Sequence, residues 1–211
     1  MRIDFTLLAD GLSDRVLLRI AEWVFQAHLP PSIPIRGELA DLSGLPTPPR
    51  KLRDRISTAI EYYPCNVFLI HRDAEAQDPS KRRTEIEKAC SEAKIEAKCR
   101  PIFVVPVRMT EAWLLFDQKA IRRAAGNPNG SMPLTLPQAP ECESDPKGKL
   151  LDALREASGL KGRRRRAFRP EQARVTLANL IDDFAPLRNL CAFQLFENDI
   201  KEVLKEMLTL E

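Results

Sequence analysis

Residues 66–75, NVFLIHRDAE, constrain the fold more than any other part of the chain. Val67, Phe68, Leu69 and Ile70 form an apolar run too short for an ordinary helix and made of strand-favouring types. The run stops at once at His71, Arg72, Asp73, Ala74 and Glu75. A buried strand ending in charge is what a parallel α/β sheet presents at its carboxyl edge, where ligands and reacting groups collect. Residues two apart lie on one side of an extended chain, so Asp73 and Glu75 can face the same ion.

The pattern recurs on either side. Residues 2–9 alternate at first (Ile3, Phe5, Leu7) and then run apolar to Asp10 and Gly11, as a strand entering a core and turning does. Ser13 or Asp14 can cap the next helix, whose apolar stripe is Leu17, Ile20, Val24 and Ala27. Asp14 thus reads as a helix-start acid, whereas Asp10 stands at the strand end. Residues 29–49, rich in Pro and Gly, read as a long loop with at most a turn of helix near 38–42. A helix follows from about residue 49 (Leu52, Ile56, Ala59, Ile60, Tyr63) until Pro64 closes it.

Beyond Glu75, Asp78 and Pro79 open a helix reaching about residue 97, with Lys81, Arg82 and Arg83 on its polar face. Residues 101–107 form another buried-type strand, and Pro106 marks it as an edge or a bulge. That strand ends at Arg108 to Glu111, where Thr110 can cap a helix continuing through Ile121 to a stop at Gly126. Residues 127–144 hold four prolines and no periodicity. Asp145 and Pro146 start a helix ended by Gly159, and further helices open at Pro170 and near Phe193, the last reaching residue 210. The reading is an α/β fold: a small, mainly parallel Rossmann-like sheet flanked by helices, with a helical C-terminal third. Residues 1–126 form the core, 127–144 a linker or draped loop, and 145–211 a helical region packed on that core.

With 211 residues, 44% hydrophobic and 30% charged, the chain is long enough to bury a core and has the composition of a globular protein. No stretch approaches the ~20 apolar residues needed to span a bilayer, and no signal peptide is visible, so a cytoplasmic protein without membrane contact is expected. The five cysteines show no CxxC spacing and there are only two histidines, a pattern that favours neither a disulfide framework nor structural zinc. The net charge of +3 is small; its clustering is the informative part. Lys161 to Arg169, KGRRRRAFR, is the densest cationic run, and Arg163, Arg164, Arg165, Arg166 and Arg169 repel one another unless an anion lies close.

Three strand ends, at Asp10, at Asp73 and Glu75, and at Glu111, thus deliver carboxylates to one edge. Hard divalent cations such as Mg²⁺ (or Mn²⁺) take oxygen ligands of this kind and leave room for water and substrate phosphate. Arg72 and Arg108 are placed to serve as transition-state cations. Lys81, Arg82, Arg83 and the arginine run are placed to hold nucleic acid. Phosphoryl transfer on DNA or RNA follows, with Asp10 as base or ligand, Asp73 and Glu75 as metal ligands, and Glu111 as an accessory acid.

Asp10-Gly11-x-x-Asp14 after the first strand and Asp73-x-Glu75 after a later one resemble the TOPRIM (topoisomerase-primase) domain. HRDAE at 71–75, PVRMTEAWLL at 106–115, AAGNPNG at 124–130 and DPK at 145–147 resemble an uncharacterised bacterial family of TOPRIM-like proteins over most of the chain. The resemblance implies a Rossmann-like sheet, an acid after the first strand acting in proton transfer, and a DxD pair binding Mg²⁺. It also suggests a part in defence against foreign DNA, with or without a partner such as an ATPase. Two positions depart from the pattern. Asp10 replaces the usual glutamate and Glu75 the usual second aspartate, and a reach error of about 1 Å can cost roughly a hundredfold in rate. The alternative is a non-catalytic nucleic-acid- or partner-binding module with a decayed site.

Overall fold

The computed structural model describes residues 2–75, 77–95 and 99–209. Four parallel strands, β1 (Ile3–Leu8), β2 (Ile35–Leu39), β3 (Val67–His71) and β4 (Arg100–Val104), form one sheet in the order β2-β1-β3-β4. β1 and β3 are central, as continuous burial of their side chains requires. Three helices connect the strands: α1 (Val16–His28), α2 (Leu52–Tyr62) and α3 (Pro79–Ala93). Five more follow: α4 (Gln118–Ala124), α5 (Pro146–Ala157), α6 (Gly162–Ala167), α7 (Pro170–Leu177) and α8 (Cys191–Thr209).

The period of two along the strands divides the core into two layers. Phe5, Leu7, Val67, Leu69, Ile102 and Val104 point to one face, where α1, α5, α7 and α8 pack. Leu8, Phe68 and Ile70 point to the other, covered by α2 and α3. The C-terminal helices therefore share the first layer of the sheet. Residues 110–114 are tied into it by Trp113, which is fully buried with its ring 5.4 Å from Phe193 and 6.0 Å from Phe196 on α8. That anchor holds Thr110 and Glu111 beside the carboxyl edge. The AAGNPNG and DPK motifs are local fasteners: Asn127 donates from Nδ2 to the Ala157 carbonyl at the end of α5, and Asp145 caps the start of α5 through the Gly148 N–H.

Several elements differ from the sequence reading. Residues 29–49 contain β2 rather than a continuous loop, and 35–39 are strand, so no helical turn begins at Glu38. An edge strand is bonded on one side only and here carries Arg36 and Glu38 in a half-buried run, which conceals it among prolines. Gly37 is there because a Cβ would lie 2.2 Å from the Phe5 ring. The helix expected from Glu111 through Ile121 is a 3-10 turn, Thr110–Leu114, followed by the separate helix α4. Asp117 caps α4 through the Ala120 N–H, and Thr110 is no cap, since its own polar groups are drawn to β3. On α1, Ala27 is exposed and Phe25 fills the core. α3 ends at Ala93, with Lys94 in the left-handed region at φ 53°. Residues 97 and 210, where two helices were expected to end, lie outside the described residues.

Candidate functional site at the carboxyl edge of the sheet

β1 leads outward to β2 on one side, and the chain returns to place β3 on the other. The crevice above the ends of β1 and β3 is therefore the topological switch point, the usual ligand position of such sheets. Leu8 lies opposite Ile70 in the register, so Asp10 and Arg72, each two residues further on, come face to face. Arg72 donates from Nε to Asp10 Oδ2 at 3.0 Å. Arg55 on α2 donates from Nη1 to Asp10 Oδ1 at 3.2 Å and from Nη2 to the Ala9 carbonyl at 2.5 Å. The alternation continues outward: Arg72 to Glu85 at 2.8 Å, Glu85 to Arg82 at 2.8 Å, and Arg82 to Glu75 at 3.3 Å. These part-exposed pairs add little stability each; their effect is to fix side chains along the rim.

Below the rim lies a buried polar knot. His71, the last residue of β3 and 1% exposed, places Nε2 3.1 Å from Asp73 Oδ1 and 3.1 Å from the Thr110 hydroxyl. The Thr110 N–H donates to the same Asp73 oxygen at 3.1 Å. A carboxylate only accepts, so the Nε2 hydrogen belongs to the bond with Asp73. Nδ1 has no hydrogen-bond partner and lies 3.8 Å from Asp14 Oδ2, which accepts the Gly11 N–H at 3.1 Å. Burial pushes the Asp14 carboxyl above its ordinary range. His71 opposes that shift, Asp73 adds to it by like charge, and the bonds from Gly11 and Thr110 oppose it. Asp14 is thus held toward its protonated form beside the His71 ring. A buried nitrogen without a bond costs about 1–3 kcal/mol, and the fold carries that cost here.

The remaining sequence-derived residues are dispersed. Glu75 sits at φ 50° with its side chain 68% exposed, at the outer end of the rim. Glu111 is buried and ion-paired with Arg174 of α7. Arg108 makes no ion pair among the described residues, and its carbonyl accepts the Glu75 N–H at 3.2 Å. Lys81 is exposed, and Arg82 belongs to the rim. Arg83 turns to α8, bonding Asp199 at 2.9 Å and covering the Phe103 ring at 5.2 Å. Arg163, Arg164, Arg165, Arg166 and Arg169 are all exposed, four of them on α6, and none is ion-paired among the described residues. All five cysteines are thiols.

The structure brings Asp10, Asp73 and Arg72 to the switch point and adds Asp14, Thr110, Arg55 and Glu85, which sequence reasoning did not place there. Only Asp14 left a readable signal, its spacing of three from Gly11, which its cap uses. A closed metal cage is absent: among the described residues no three His, Cys, Asp or Glu side chains are grouped to hold one ion. Mg²⁺ binds through one or two carboxylates when phosphate and water complete its shell. Asp73 fits that smaller demand, because Oδ1 is fixed by His71 and Thr110 while Oδ2 takes no hydrogen bond among the described residues. Asp10 fits as a second ligand only when one of its arginines turns away to substrate phosphate.

Comparison of the chain with protein families, with characterised proteins and with solved structures yields no match. No helix among the described residues is long and apolar enough to cross a membrane.

Proposed function

We propose that this protein is a Mg²⁺- or Mn²⁺-dependent phosphoryl-transfer enzyme acting on nucleic acid, with a nuclease as the simplest form, centred in the crevice between β1 and β3. The observation that carries the reading is that two polar groups, Asp10 with Arg55 and Arg72, and Asp73 with His71 and Thr110, stand at the carboxyl ends of β1 and β3, the switch point of a parallel sheet. The TOPRIM-like motifs agree with it. Asp73, joined by Asp10, would hold the ion, which when bound polarises a phosphoryl oxygen and steadies the leaving oxygen. His71 and Thr110 lock the Asp73 carboxylate in position, and Asp14 stands beside His71 at the floor of the site. Arg72 exchanges Asp10 for the substrate's phosphate, a role that suits guanidinium, while Arg55 keeps its bonds to Asp10 and the Ala9 carbonyl. The arginines of α6 supply a polyanion track. In this reading Glu111 is a structural acid, buried and paired with Arg174 of α7.

The test is cleavage of single- and double-stranded DNA and RNA with Mg²⁺ or Mn²⁺, comparing the wild type with Asp73→Asn. Cutting by the wild type alone is expected. No cutting with either metal, or equal cutting by the variant, overturns the enzyme reading. The pairing of both Asp10 oxygens with arginine favours a second reading, a metal-independent nucleic-acid-binding module. That reading requires binding that is unchanged by EDTA and weakened by neutralising Arg163 to Arg166.

A further inference from the structure

Beside the switch point, the segment between β2 and α2 folds over the ends of β1 and β2 and encloses a cleft of about 240 Å³. The segment is held firmly. The Ala40 N–H donates to the Leu7 carbonyl at 2.9 Å and the Tyr63 hydroxyl to the Asp41 carbonyl at 3.0 Å. The Asp41 carboxylate accepts from Ser43 N–H at 3.0 Å and from its hydroxyl at 2.6 Å, and the Leu42 side chain is buried. The walls include Leu12, Leu39, Leu42, Pro48 and Pro49, and Leu12 stands 59% exposed at the rim. The charged lining is Asp10, Asp41 and Arg55, and Arg55 already bonds Asp10 and the Ala9 carbonyl.

We infer that this cleft receives one unpaired nucleobase of the nucleic-acid substrate, the base adjoining the phosphate that Arg72 contacts. The inference rests on the proposed function and narrows its substrate class to a single-stranded or extruded nucleotide. Two carboxylates against one committed guanidinium disfavour a phosphate inside the cleft, so the occupant is uncharged. The volume is below the ~300–1,000 Å³ of sites for drug-sized ligands, which admits one ring system and no more. Apolar walls suit the faces of a heterocycle, and a base inside a duplex cannot enter without leaving its stack.

The experiment uses the full chain in EDTA and measures fluorescence anisotropy with end-labelled pentadeoxyadenylate and with an abasic backbone of equal length. The intact strand is expected to bind at least about fivefold tighter, the lower end of what one stacked base contributes. Ser43→Trp, at an exposed position lining the cleft, should remove that difference without weakening the abasic strand. Leu12→Ala should reduce the difference. Equal binding of both strands, binding of neither, or a difference that survives Ser43→Trp with an unchanged unfolding midpoint overturns the inference. A wild type that cuts nucleic acid without distinguishing the two strands sinks this inference alone. One that distinguishes them but cuts nothing sinks the enzyme reading alone.

Discussion

Arg72 Nε and Asp10 Oδ2 meet at 3.0 Å and join the ends of β1 and β3 at the point where the chain's path through the sheet reverses. The contact follows from the register, since each residue stands two places beyond a paired position. It places a cation against the carboxylate proposed as a metal ligand, so on the proposed function substrate phosphate would compete with Asp10 for one guanidinium.

Arg72→Gln removes that competitor. Part-exposed pairs contribute ~0.2–1 kcal/mol, so Mn²⁺ affinity in the absence of substrate should rise by no more than about fivefold, with Arg55 still holding Asp10. Cleavage should fall, because the phosphate loses its partner. Titration calorimetry with Mn²⁺, beside a cleavage assay, reads both effects. Weaker metal binding would show that Arg72 supports the carboxylate rather than competing for it.

Asp14 binds its proton more tightly in the folded than in the unfolded chain, because burial raises its pKa above the ordinary 3.8. Its contribution to stability is therefore full below that ordinary value and is lost as pH rises through the raised one. Asp14→Asn keeps an acceptor for the Gly11 N–H and removes the charge near Asp73. Its urea midpoint at neutral pH should exceed that of the wild type, the gain should shrink toward about pH 4, and cleavage should drop. A variant less stable at neutral pH would mean that the Asp14 charge is satisfied in place.

Glu197 on α8 behaves in the opposite sense. Burial alone would raise its pKa. The Arg188 guanidinium at 2.7 Å and His28 Nε2 at 2.8 Å outweigh that, with Lys201 adding charge, and hold it below the ordinary 4.5. The stability it contributes is present above that value and is lost as pH falls through the lowered one. Glu197→Gln should cost about 2 kcal/mol near neutral pH, the scale of hydrogen bonds to a charged group. Urea unfolding at neutral and acid pH should show the deficit closing in acid.

β1 and β3 were legible because buried strands write themselves as apolar runs, β4 because its edge strand is still apolar in sequence although it stops at Val104 rather than residue 107, and Asp10 and Asp73 because they stand where the buried runs stop. β2 was not, since a half-buried edge strand with Arg36, Gly37 and Glu38 lacks that pattern. Nor was the setting of His71. Its relation to Asp14 and Thr110 depends on which strands are neighbours, and strand order is a property of the assembled sheet. Asp14 reads as a cap of α1 but stands inside a 3-10 turn, Leu12–Arg15, and accepts the Gly11 N–H, while α1 itself starts after Arg15 without a side-chain cap; burial against His71 gives Asp14 its second setting. The partner of Glu111 lies 63 residues on in the sequence, beyond any local pattern.

The arginines of α6 have no carboxylate partners among the described residues, so nothing in the fold offsets their charge. Each one that touches phosphate releases counterions, giving a slope of about −0.7 per contact for single strands in log K against log salt. Replacing Arg163 and Arg166 by Gln should reduce the slope by up to about 1.4. Binding should weaken alike for all sequences, with the unfolding midpoint unchanged. An unaltered slope would assign the polyanion track to another surface.

Glu111 and Arg174 separate structural from chemical acids. Both side chains are buried, at 7% and 12% exposed, and each neutralises the other between the 110–114 turn and α7. Arg174→Ala strands a buried carboxylate, and breaking such a pair costs about 3–5 kcal/mol. Glu111→Gln keeps the shape and a hydrogen-bond acceptor for Arg174, so it should cost less and leave cleavage within about twofold of wild type once stability is matched by temperature, an ordinary tolerance for a group outside the reacting centre. In Arg174→Met with Glu111→Leu, the two losses should not add, because the second substitution removes the charge that the first exposes. Urea unfolding of the two singles and the double measures that coupling. A Glu111→Gln variant of normal stability whose cleavage falls a hundredfold would return Glu111 to the chemistry and require Arg174 to release it during the reaction.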